Sequence, residues 1–200
     1  SALAFFTDPA TGELRLACGG RGGQVRLFDP VAGGEALLVV DAGEEVLALA
    51  LFTDPATGAL RLACQSRRGV RRVRVFDPVT GGDALVELQG GGGSLAVFTD
   101  PATGAPRLAC VSGETVRVFD PVAGGEALLV LRIGPRVNAL AVFTDPATGA
   151  PRLACGCYDG KVRVFDAVSG GDALLVLNAG DLVSALVLFR DQATGVSRLA

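Results

Sequence analysis

Cysteine is the residue type in this chain whose spacing most invites chemistry. Cys18, Cys64, Cys110 and Cys155 recur at near-constant intervals, and Cys157 follows the last of them two residues on. Thiols in such a series could hold a metal or form disulfides. Zinc takes four nitrogen or sulfur ligands, or three in a catalytic site. Only Cys155-Gly156-Cys157 has chelate spacing, and with no His in the chain it offers two ligands. A disulfide needs Cα atoms within about 7 Å, whereas one cysteine per repeat unit puts neighbours a unit apart. The series therefore reads as small buried hydrophobes, with no metal site expected. Reduced thiols fit a cytoplasmic setting.

Acid–base chemistry has equally little to work with. The absence of His removes the commonest general base, and no Ser or Thr has an imidazole to activate it. Asp8, Asp54, Asp100 and Asp145 recur, as do Asp29, Asp77, Asp120 and Asp166. Recurrence is what turns ask of Asp, while a catalytic carboxylate would be singular. The expectation is a non-enzyme with no cofactor. Net charge is −3, which argues against nucleic acid as the main partner, because phosphate binding needs a basic excess. No apolar run of about 18 residues is present, so no membrane span is expected.

The elements that carry these residues follow from an internal repeat. "FTDPATGAPRLAC" stands at 98–110 and 143–155, with near-copies from Phe6 and Phe52 and a divergent copy, "FRDQATGVSRLA", from Phe189. The steps are 46, 46, 45 and 46 residues. Units span 2–47, 48–93, 94–138 and 139–184, with a partial unit at 185–200, all in one repeat domain 1–200. A period this regular outranks other signals. Each unit holds four short apolar runs, strands a to d, seen in the fourth as "ALAVF" (139–143), "RLAC" (152–155), "KVRVFD" (161–166) and "ALLVL" (173–177). Strand c alternates, so its two faces meet different surroundings. Strands a and d are nearly continuous apolar runs, which predicts cover on both faces. Asp145-Pro146-Ala147-Thr148-Gly149 has turn chemistry and joins a to b. "DPVAGG" (29–34, 120–125) joins c to d. Its double glycine is no phosphate loop, since neither a helix nor Lys-Ser/Thr follows.

Four antiparallel strands per unit of this length is the pattern of a β-propeller blade. "LACGCYDGKVRVFD" (153–166) resembles the WD-repeat phrase, and "LACGGRGGQVRLFD" (16–29) and "LACVSGETVRVFD" (108–120) match it less fully. The likeness extends over all four units. Phe28, Phe76, Phe119 and Phe165 stand where the family has Trp, Gly43-Glu44 and Gly180-Asp181 stand where it has Gly-His, and only Asp159 keeps its b–c turn Asp. The family's His-Asp-Ser-Trp network therefore has no counterpart, and blades are expected to rest on apolar packing and backbone ladders. A kelch propeller is the second possibility within the architecture, for the paired glycines, but they sit in a turn and the kelch aromatics are missing. The resemblance implies a non-catalytic protein–protein interaction scaffold.

Comparing units locates the expected binding face. The a–b and c–d turns barely vary. The b–c loops, "GGRGGQ" (19–24), "QSRRGVRR" (65–72), "VSGET" (111–115) and "GCYDGK" (156–161), and the d–a loops, "DAGEEV" (41–46), "QGGGGS" (89–94), "RIGPRV" (132–137) and "NAGDLV" (178–183), all differ. Diversity gathered on one rim of a rigid scaffold suits a binding face. Its candidate residues are Arg67, Arg68, Arg71, Arg72, Arg132, Arg136 and Lys161, with Tyr158 as aromatic anchor, and the expected partner is a protein or peptide. Propellers close with about four to eight blades. The preferred expectation is a fragment of a longer array. Closure with other copies through open blade faces, or four blades closing alone, are the other two. A structural or self-assembling repeat protein is the alternative to a scaffold.

Overall fold

The computed structural model describes residues 2–66, 71–190 and 197–200, with backbone alone for 190 and 197–199. The first blade is β1 (Ala2–Thr7), β2 (Leu14–Gly19), β3 (Gln24–Phe28) and β4 (Leu38–Asp41). The second is β5 (Val46–Thr53), β6 (Leu60–Ser66), β7 (Arg72–Phe76) and β8 (Val86–Gln89). The third is β9 (Leu95–Thr99), β10 (Pro106–Ser112), β11 (Thr115–Phe119) and β12 (Leu129–Arg132). The fourth is β13 (Val137–Thr144), β14 (Pro151–Cys157), β15 (Lys161–Asp166) and β16 (Gly170–Asn178), and a hairpin of β17 (Leu188–Arg190) and β18 (Ser197–Leu199) follows. Each blade is an antiparallel meander whose strands pair in chain order. No described helix is long and apolar enough to cross a membrane.

The turns fold as their residues dictate. Asp145 Oδ1 accepts from the Ala147 N–H at 3.0 Å, and its carbonyl accepts from Gly149 at 2.8 Å. Gly149 takes φ 71°, a left-handed conformation that glycine adopts without a Cβ penalty. The neighbouring first strands lie against one another, β1 on β5, β5 on β9 and β9 on β13, which places the a strands innermost and the d strands outermost.

The core lies between blades. Ala17, Val25, Leu27 and Val40 of the first blade meet Val46, Leu62, Cys64 and Phe76 of the second. The same positions pair the second blade with the third and the third with the fourth. Val162 and Val164 of the fourth meet Val183, Leu186 and Leu188. Each fully buried Leu, Val or Phe in these seams stabilises by roughly 1.5–3 kcal/mol. Phe76 and Phe119, at the Trp positions of the WD-like phrase, are 1% exposed in them.

Strand d departs from expectation. In the first three blades only one face is covered: Val40 is 1% exposed, yet its neighbour Val39 is 47% exposed, and Val130 follows Val39, while in the fourth blade Val176 and Leu177 are both exposed. Each seam takes in one face of strand d, through Val40, Leu88 and Leu131, and leaves the other face out of it. An apolar run here does not mean two covered faces.

Candidate functional site

The two rims of the blades are built differently. On the variable rim, each d–a connection is hydrogen-bonded to the b–c turn before it. Ala42 N–H donates to Gly23 O, Ile133 to Glu114 O and Ala179 to Gly160 O, at 2.8, 2.9 and 2.8 Å. The second unit makes the same link from Gly90 N–H to Arg71 O at 3.0 Å. Loops of different sequence thus share one backbone frame, which fixes where their side chains emerge.

The candidate binding residues that the structure describes fall on this rim in separate groups. Arg67 and Arg68 lie outside the described residues. Arg71 is exposed, with its guanidinium laid over Gly92. Arg72 differs from the expected solvent-facing cluster: it opens β7 and bonds Glu87 at 2.9 Å, and Arg74 bonds the same carboxylate at 2.7 Å. Glu87 stands directly across from Arg74 in the ladder, and these guanidiniums, Arg74 foremost, hold its carboxyl below the usual range. Arg132 and Arg136 are exposed. The Tyr158 N–H donates to Arg136 O at 2.8 Å, so those two residues emerge side by side, with Tyr158 64% exposed. Lys161, also exposed, closes the same b–c turn.

The second unit carries an arrangement the others lack. Gln65 is fully buried, and its Nε2 donates to Ser66 O at 3.0 Å and Arg72 O at 3.2 Å. Its Oε1 lies against Gly91, where any Cβ would overlap it, and Gly91 holds φ 123°. This accounts for glycine at position 91 of "QGGGGS", and Gly90 before it holds φ 124°.

The opposite rim is held by groups whose cooperation the sequence did not reveal. Arg15, Arg61, Arg107 and Arg152, the Arg of each "RLAC", reach between the a–b and c–d turn aspartates. Arg107 meets Asp100 at 3.2 Å and Asp120 at 3.1 Å, and Arg152 meets Asp145 at 3.0 Å and Asp166 at 2.6 Å. Arg61 binds Asp77 at 2.9 Å and sits 3.9 Å from Asp54. Arg15 turns mainly to Glu13. Backbone N–H groups of the turns, from Ala56, Ala102 and Ala147, are the leading cause that lowers the pKa of Asp54, Asp100 and Asp145. The signal was the fixed interval of seven residues from turn Asp to Arg.

The thiols are free and all but Cys18 are buried. Burial pushes Cys64 up to about 12 and raises Cys110 and Cys155 as well. A thiol so raised is a poor nucleophile and metal ligand at neutral pH.

Meandering four-stranded blades packed face to face, with loops gathered on one rim, define the chain as a β-propeller. Among solved structures it is similar to BBS1N in a crystal complex with ARL6DN, at a TM-score of 0.73 and 10% identity over 98% of this chain. The chain spans 61% of the length of that neighbour. The similarity shows the fold. No family model matches the chain, and no curated protein does.

Proposed function

We propose that this chain is a non-catalytic interaction scaffold of WD-repeat type, working in the cytoplasm, which holds a protein or peptide on its d–a and b–c loops. The observation that supports it is a common backbone frame carrying different side chains in every unit. Exposed Arg71, Arg132, Arg136 and Lys161 with Tyr158 favour an acidic segment. The structural neighbour stands in a complex with a protein, which lends general support to a protein partner. Peptides selected from a random display library on the native chain test this. Acid-rich peptides that lose roughly tenfold in affinity with Tyr158→Ala or Arg136→Ala would support it. Peptides that bind equally well after the other three b–c loops are replaced by the "GGRGGQ" of the first unit, with circular dichroism unchanged, would overturn it.

A second reading is self-association through end faces. Leu177 is 43% exposed, whereas its repeat equivalents Val40, Leu88 and Leu131 are 1, 0 and 3% exposed. At the other end Leu3 and Phe5 are 66 and 58% exposed, at the positions that seal the later seams. Light scattering after size exclusion tests it: a defined oligomer dissociated by Phe5→Asp is expected, and a monomer at all concentrations rules it out.

A further inference from the structure

The rim opposite the variable loops carries a series of equivalent clefts. One lies at each of the three seams between complete blades. The first is walled by Leu37 and Leu38 of one blade and by Pro78 and Val79 of the next. The second has Leu85 and Val86 against Pro121 and Val122, and the third Leu128 and Leu129 against Ala167 and Val168. Their volumes are about 210, 220 and 130 Å³, many times what one ordered water needs, roughly 10–15 Å³. Each floor is the Phe that ends strand a beside the Arg and Asp of the clasp.

The walls are apolar and open. Leu37, Leu85 and Leu128 are 57, 54 and 60% exposed, and Val79, Val122 and Val168 are 39, 37 and 42% exposed. Exposed apolar groups scattered singly need no explanation. A Leu and a Val flanking the same cleft at every seam do, because a turn needs neither of them.

Charge decides what could enter. Each complete unit places on this rim its two turn aspartates and an exposed acid after the double glycine, Glu35, Asp83, Glu126 or Asp172. Against those three stands the single clasp arginine, already committed to the aspartates. The rim is therefore acidic around apolar clefts. Anionic membranes and nucleic acids are repelled by it, and an acidic peptide likewise.

We propose that this rim is a second docking surface, whose clefts take apolar side chains of an extended basic peptide segment. Leu, Ile or Val side chains of the segment fill successive clefts, and its Lys or Arg side chains meet Glu35, Asp83, Glu126 and Asp172. Apolar insertion gives affinity, while the acids steer approach and set the sign of the partner. The proposal is independent of the variable-loop reading, since no residue is shared.

The probe is a fluorescein-labelled peptide of alternating Leu and Lys, read by fluorescence anisotropy on the full chain. Two control peptides replace every Leu by Ser, or every Lys by Glu. Binding of the Leu-Lys peptide that weakens roughly tenfold in each control, and again in a Val79→Ser, Val122→Ser, Val168→Ser chain, is the expected result. A second variant, Glu35→Gln, Asp83→Asn, Glu126→Gln, Asp172→Asn, leaves the clefts intact. It should weaken binding and flatten its salt dependence, and it keeps the test decisive if the first variant fails to fold. No binding of the Leu-Lys peptide, or equal binding by the native chain and the charge variant, would overturn the proposal.

Discussion

Arg152 donates from Nη1 to Asp166 Oδ2 at 2.6 Å and from Nη2 to Asp145 Oδ2 at 3.0 Å. One side chain on strand b thereby ties the a–b turn to the c–d turn of its blade. Asp166 Oδ1 meanwhile accepts from the Val168 and Ser169 N–H groups at 3.0 and 2.9 Å. The WD-repeat family closes its blades with a side-chain network that this chain lacks. Here the repeated Asp-Arg-Asp clasp cross-links turns on one rim, in addition to the apolar seams.

Arg152→Met should therefore destabilise the chain by about 2 kcal/mol, the usual size for losing hydrogen bonds to charged groups. Arg152→Lys should recover only part of it, because an ammonium cannot fork between two carboxylates as guanidinium does. Urea denaturation checks both. Equal stability of Arg152→Met and the native chain would mean that the clasp is a surface ornament.

Acid should loosen the same rim. The folded-state pKa of Asp29, Asp54, Asp100 and Asp145 lies below the ordinary aspartate value of 3.8, with turn N–H bonds as the leading cause. Asp77 and Asp166 are lowered too: burial pushes them up, and the turn N–H bonds, the turn hydroxyl and the clasp arginine together outweigh it. The unfolded chain then binds protons more readily than the folded one as pH falls. Stability is fully present above the unfolded value near 3.8 and is lost as pH falls through the lower folded values. Thermal unfolding followed from pH 7 to about pH 2 should show a flat upper range and a decline that sets in near pH 4.

Much of the fold was legible because repetition replaces inference. Five copies of Phe-Thr-Asp-Pro or its relatives set the register, and the turn chemistry of Asp145 to Gly149 set the hairpin. The single-sided cover of strand d was not legible, since Val39 and Val40 are the same residue type and only their place in the radial packing separates them. Nor was the clasp, because Arg15 and its equivalents sit inside an apolar phrase and their aspartates are seven and at least 13 residues away. On the variable rim, Arg72 looked free in sequence because Glu87, its partner, is 15 residues on, across a strand pair.

Gly91 should tolerate no side chain. Its φ of 123° is strained for L residues, and a Cβ would overlap buried Gln65. Gly91→Ala should cost about 1–3 kcal/mol, the range for backbone strain at such positions. Gly149→Ala meets only the conformational penalty, since nothing lies within 4 Å of its would-be Cβ. Thermal melts of the two variants should rank Gly91→Ala lower.

Thiol labelling reports the end faces directly. Cys18, Cys64, Cys110 and Cys155 occupy one repeat position, yet only Cys18 lacks a blade packed over it and is partly exposed. Desolvation raises its pKa as it does the others, so reaction with a thiol reagent at neutral pH should be slow but measurable, and faster than at Cys64 or Cys110. Those two should label only when the chain opens, at a rate that tracks unfolding. The cover on Cys18 is what self-association would supply. If copies dock on the Leu3 and Phe5 face, Cys18 labelling should slow as protein concentration rises, and Phe5→Asp should abolish the slowing. A rate independent of concentration, with Cys18 still the fastest thiol, would leave that face bare in solution.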